Sequence, residues 1–156
     1  MQTTTMSKQN LVDQAFALLK DVDFKMLKLK LQDPEEGLGW TSEECDIVEL
    51  DYKRFLALKY AYPDEEIVPN RLVDKFWHFH ILDTRAYVLD CEYVFGYFVH
   101  HYPYFGMMGE QDRRDLHIAF ADTTALYKTH FGIGYDEEQN GGRSKCRTAC
   151  KPQKYK

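Results

Sequence analysis

Several familiar chemistries have no foothold in this sequence. It has no glycine-rich phosphate loop, no Gly-x-Ser-x-Gly elbow, no Glu-x-x-His pair and no His-Glu-x-x-His zinc helix. Nucleotide hydrolysis and the commonest hydrolase and di-iron classes therefore lack support. No stretch reaches the roughly eighteen uncharged apolar residues that a membrane helix needs. Residues 1–10 are polar, without the apolar run of a signal peptide. The expected location is the cytoplasm, where thiols stay reduced. Cysteine numbers only four, and Cys45 and Cys91 then read as buried small hydrophobes or ligands rather than as a disulfide. There is no internal repeat and no low-complexity segment.

What is present is apolar and rich in rings. Hydrophobic residues make up 44% of the 156 and aromatics 15%, with ten Phe and eleven Tyr. A chain of this length buries roughly two thirds of its unfolded surface, enough for one core. Net charge is −5, yet residues 140–156 hold Arg143, Lys145, Arg147, Lys151, Lys154 and Lys156 with no acid. Setting those six aside leaves −11 on the body. An acidic body argues against nucleic acid as the main partner.

Apolar spacing is helical throughout. Leu11, Ala15, Leu18 and Leu19, then Phe24, Leu27 and Leu31, describe one helix or two short ones, with Asn10 as cap and Pro34 as stop. Thr41 stands three residues before Glu44, the capping-box spacing, and opens a helix through Ile47, Leu50, Phe55 and Leu58 that Pro63 ends. Asn70 caps a run through Val73, Phe76, Trp77, His80 and Ile81. A single helix over 71–101 would be about 46 Å long, too long for so small a domain. A break at Leu82-Asp83-Thr84, with Asp83 as the new N-cap, turns it into a hairpin whose second arm covers 84–99. Tyr102-Pro103-Tyr104-Phe105-Gly106 ends that arm. A last helix runs from Glu110 to Phe131 and stops at Gly132. The expected architecture is an all-α, single compact bundle of about five helices over 11–132, with a flexible N-terminus over 1–10. A Gly/acidic linker and flexible basic tail occupy 133–156.

Chemistry-bearing residues crowd between Asp74 and His101. His78 and His80 are splayed by about 200° on a regular helix, so the two do not easily share one metal. Asp74 lies one turn before His78, where its carboxylate can take a ring proton and fix the tautomer of a metal-binding histidine from behind. His80 projects over Phe76 and, across the turn, towards Tyr87, Asp90 and Cys91. A pocket of this kind offers a nitrogen, a phenol and a thiol, which suits Zn, Fe or Cu better than Mg or Ca. On a straight second arm His100 and His101 would lie roughly 24 Å from Thr84. They are then expected to form a second site near Tyr102 and Tyr104, unless Gly96 kinks the helix. In the tail, Cys146 and Cys150 are four apart and supply two thiolates at most. Taken singly, each histidine is more often structural or exposed than a ligand.

The segment from Val73-Asp74-Lys75-Phe76-Trp77-His78-Phe79-His80 through Tyr87, Asp90-Cys91, Phe95-Gly96 and His100-His101-Tyr102-Pro103-Tyr104-Phe105-Gly106 resembles the short bacterial members of the glycine-rich domain-containing protein-like family. The similarity covers about residues 11–132. Plant relatives carry Ser-Pro in place of Asp83-Thr84, and proline at a first helical position supports the break there. The resemblance implies no defined activity; the larger plant members are associated with development, stress responses and RNA or protein interaction. This chain lacks their long glycine-rich region, having only Gly132, Gly134, Gly141 and Gly142.

Three functions are expected, in order. The first is a small protein whose hairpin pocket binds a transition metal and acts on a small molecule or peptide. There His78, His80, His100 and His101 are candidate ligands, Asp74 the residue behind them, and Tyr87, Asp90 and Cys91 the reactive wall. The second is a protein-interaction module using an aromatic surface and the tail over 140–156. The third is a single-stranded RNA binder stacking bases on Tyr and Phe.

Overall fold

The computed structural model describes residues 5–135, and no strand occurs among them. Six helices follow one another: α1 (Lys8–Leu19), α2 (Lys25–Gln32), α3 (Ser42–Ala61), α4 (Arg71–Leu82), α5 (Thr84–Phe95) and α6 (Glu110–Phe131). Among the described residues no helix is long and apolar enough to cross a membrane. The tail with Cys146 and Cys150 lies outside the described residues.

The all-α bundle is as expected, and the count rises from about five to six because the 11–31 run divides. Val22 and Phe24 are buried between the two halves, and the Asp23 carboxylate accepts the Lys25 N–H at 2.8 Å, which starts α2 afresh. The cap of α1 is Ser7 rather than Asn10, since the Ser7 hydroxyl accepts the Asn10 N–H. On α3 the reciprocal capping box forms as read: Thr41 Oγ1 accepts from the Glu44 N–H at 3.1 Å and Glu44 Oε2 accepts from the Thr41 N–H at 2.9 Å. A cap of this kind is worth about 1 kcal/mol.

α3 is the hub of the bundle and packs against α1, α2, α4 and α6. Tyr52, Phe55 and Leu58 are fully buried along it, whereas Ile47 and Leu50, which the sequence reading placed along this helix, remain exposed on its other side. Opposite α3, α4 contributes Val73, Phe76, Trp77 and His80 to the core. Packing continues past Gly132 as far as Tyr135, whose hydroxyl accepts the Asn70 N–H at the start of α4.

The chain does double back at Asp83, which ends α4 and begins α5, although its side chain makes no capping hydrogen bond. The second arm is shorter than expected. It stops at Phe95 because Gly96 adopts the left-handed conformation, φ 76°, that closes helices. Residues 97–101 then lie back across the hairpin. Tyr87 fastens them: its hydroxyl donates to the Val99 carbonyl and accepts from the Trp77 indole N–H at 3.0 Å. One phenol thus ties both arms and the returning strand of chain together.

Candidate metal centre

Because the return passes over α4, His101 arrives beside residues it was expected to miss. Its Nε2–H donates to Asp74 Oδ1 at 2.8 Å. Its ring lies 4.4 Å, centroid to centroid, from Trp77 and 4.7 Å from His78. The 24 Å separation expected for a straight second arm fails for one reason, the positive φ at Gly96. His78 is fixed differently from expectation as well. A carbonyl can only accept, so His78 Nδ1 carries the proton that the Asp74 backbone carbonyl receives at 2.6 Å. The Asp74 carboxylate stands farther off, 3.6 Å from that nitrogen, and serves His101 instead.

Asp74, His78 and His101 each offer one donor atom, and the three atoms lie within 4.8 Å of one another. Bonds to zinc of about 2.0–2.2 Å require donors roughly 3–4 Å apart, so closure on an ion needs only a small side-chain turn. His78 can make it, its side chain being 46% exposed, while Asp74 and His101 form a buried floor at 12% and 7%. Two imidazoles and a carboxylate are a donor set for zinc or iron, and three protein ligands leave a coordination position open.

The other residues anticipated for chemistry form a separate group on the inner side of α4. His80 is buried, with Nε2–H donating to Asp90 Oδ2 at 2.8 Å and Nδ1 accepting the Tyr52 hydroxyl proton at 2.8 Å. Phe24 and Tyr87 close on it edge to face, each at 4.9 Å. With both nitrogens engaged it offers no lone pair to an ion. Tyr87 and Cys91 do flank it, as the sequence implied, but the pocket they line holds about 10 Å³, room for a single water at most. Burial, the largest influence, pushes the Cys91 thiol up, away from the reactive thiolate. Tyr87 acts as a strut and Asp90 as the partner of His80. His100 is exposed and its ring meets Phe98 at 4.8 Å, apart from the triad.

The sequence reading did not pair His101 with Asp74, although it named Gly96 as the residue whose kink would bring His101 back. Gly96, a helix-ending residue inside an otherwise continuous apolar run, is the signal that carries the pair. The sequence reading also passed over two polar clusters that join helices. Tyr127, its phenol held protonated by burial and then by Asp51, donates to that carboxylate, and Arg54 donates to Tyr127 at 3.2 Å. His130 accepts from the Tyr62 hydroxyl at 2.7 Å and donates to Gln9 at 2.8 Å.

A family model matches residues 15–123, a span running from α1 into α6 and including the whole triad; its description is UCP032817-like. No curated protein and no solved structure matches. The match overturns the resemblance to the glycine-rich domain-containing protein-like family, which nothing in the comparisons indicates. Much of the segment that carried that resemblance is helical packing, with Trp77, Tyr87 and Cys91 all buried.

Proposed function

The chain belongs to the UCP032817-like family, and from the geometry its matched segment builds we propose that it binds one transition-metal ion through Asp74, His78 and His101. The observation that carries this reading is the convergence of those three donors, from two separate parts of the chain, within 4.8 Å. Zinc or iron suits the donor set. The fourth position, on the exposed His78 side, admits a water molecule or a small ligand. A zinc ion in such a site lowers the pKa of its water to about 7, which is the basis of hydrolytic chemistry on a small molecule or peptide. Protein purified without an affinity tag should contain close to one equivalent of metal by elemental mass spectrometry, and His78→Ala and His101→Ala should lose it. Metal content unchanged by both substitutions would sink the reading.

A specific observation favours a second reading, a docking face on α5. Val88, Leu89 and Tyr93 are 45%, 65% and 51% exposed on that helix, and Leu82 and Phe98 extend the apolar surface beyond its ends. Leu89→Glu should abolish any self-association or partner capture without affecting metal content. Unchanged association would exclude this face.

A further inference from the structure

The charges around the triad name the class of ligand the open position takes, an inference that rests on the metal reading above. A divalent ion held by one carboxylate and two neutral imidazoles keeps a net positive charge. Nothing nearby in sequence offsets it. Asp74 is the sole acid on α4, and the return over 96–109 contains no Asp or Glu. With an ion bound, these two segments would together carry net positive charge within a chain whose net charge is −5.

Lys75 adds to it. Among the described residues the half-buried lysines are Lys28, Lys53, Lys59 and Lys75. Lys28 pairs with Asp46 and Glu49, Lys53 pairs with Glu49, and Lys59 lies over the rings of Phe55 and Trp77. Lys75 alone of the four has no carboxylate or ring partner among the described residues. It stands three residues before His78 on α4, and residues so spaced are surface neighbours with Cβ atoms about 5–6 Å apart. An ammonium with no carboxylate or ring partner is repelled by a neighbouring cationic centre unless an anion joins them.

We propose that the open face of the metal centre takes an oxyanion, the phosphate or carboxylate group of a small molecule. One oxygen fills the free coordination position and the Lys75 ammonium donates to another. Charge-assisted contacts of this type are strong and directional.

The test uses the untagged chain loaded with Co(II), whose visible bands report the coordination sphere, titrated with inorganic phosphate and, separately, with acetate. At least one anion should shift the bands, with binding roughly fivefold to tenfold weaker in Lys75→Gln and near the original in Lys75→Arg. A response to phosphate alone assigns a phosphoryl ligand, and one to acetate alone a carboxylate. Bands indifferent to both anions, or equal affinity in Lys75→Gln, would overturn the proposal while leaving the metal centre standing. Absence of any cobalt bands would overturn the centre itself, and this inference with it.

Discussion

His78 and His80 are two residues apart on one helix and have opposite fates. His80 turns inward, and Tyr52 and Asp90 take both its nitrogens. His78 turns outward, one nitrogen engaged by a backbone carbonyl and the other left for something else. The contrast teaches that a histidine's role follows from which of its ring nitrogens the protein itself satisfies, and that helical register decides this before any chemistry does. The inner region is a completed polar network in a ring-lined core. The outer one is an incomplete set of donors with a buried floor and an open lid.

The sharpest way to break this comparison is His80→Ala. It removes the acceptor of the Tyr52 hydroxyl proton and opens a cavity between Phe24 and Tyr87, so unfolding in denaturant should show a loss of about 3 kcal/mol. Metal affinity in the remaining folded protein should be near normal, since no ligand has changed. A stable His80→Ala that has lost its metal would invert the assignment of the two histidines.

His101→Ala should combine both effects at lower cost. It removes a ligand and leaves the buried Asp74 carboxylate without its imidazole, for about 2 kcal/mol in the same measurement. Restoring the charge balance with Asp74→Asn in the same chain should recover part of that stability and none of the metal.

Gly96→Ala touches neither region directly. A Cβ there meets nothing within 4 Å, so the cost is conformational, about 1 kcal/mol for a left-handed alanine. The return over 97–101 should loosen, and zinc affinity should fall although every ligand is intact. Unaltered affinity would show that the triad does not depend on that turn.

The smallest effect concerns His130, which is intermediate between the two extremes: both nitrogens are engaged, but the ring is only partly buried. Burial is the main influence holding it below its usual 6.5, with Asp13 opposing. A folded pKa below the unfolded one means the unfolded chain binds more protons, so stability rises with pH across that interval. Thermal stability should decline shallowly as pH falls below about 6.5, and the decline should flatten in His130→Gln. A decline of equal size in His130→Gln would place its origin in another residue.

Much of the fold was legible because its signals are local. Thr41 with Glu44, Asn70 before Val73, and Gly132 after Phe131 each act within a turn, and each does in the structure what it does in the sequence. The need for a bend followed from length, and its place from Asp83 read as an N-cap, although that side chain makes no capping hydrogen bond. The sequence left the first helical run as one helix or two short ones, since both halves are amphipathic and periodicity is blind to a short break in the backbone; the structure divides it. The candidate site was half legible: Asp74 and His78 share a face by register, but His101 reaches them only through one positive φ at Gly96 and one long-range phenol clasp at Tyr87. Gly96 is visible in the sequence as a candidate kink, but the clasp that fixes where the return lies is set by tertiary packing, which leaves no mark on spacing.

The most direct test of the difference between the two faces of α4 is a calorimetric zinc titration of the metal-free, untagged chain beside His78→Ala. One equivalent of zinc should bind to the original chain and none to the variant, whose unfolding free energy without metal should lie within about 0.5 kcal/mol of the original because the lost side chain is half exposed. Equal zinc binding by both proteins, or no binding by either, would contradict the account.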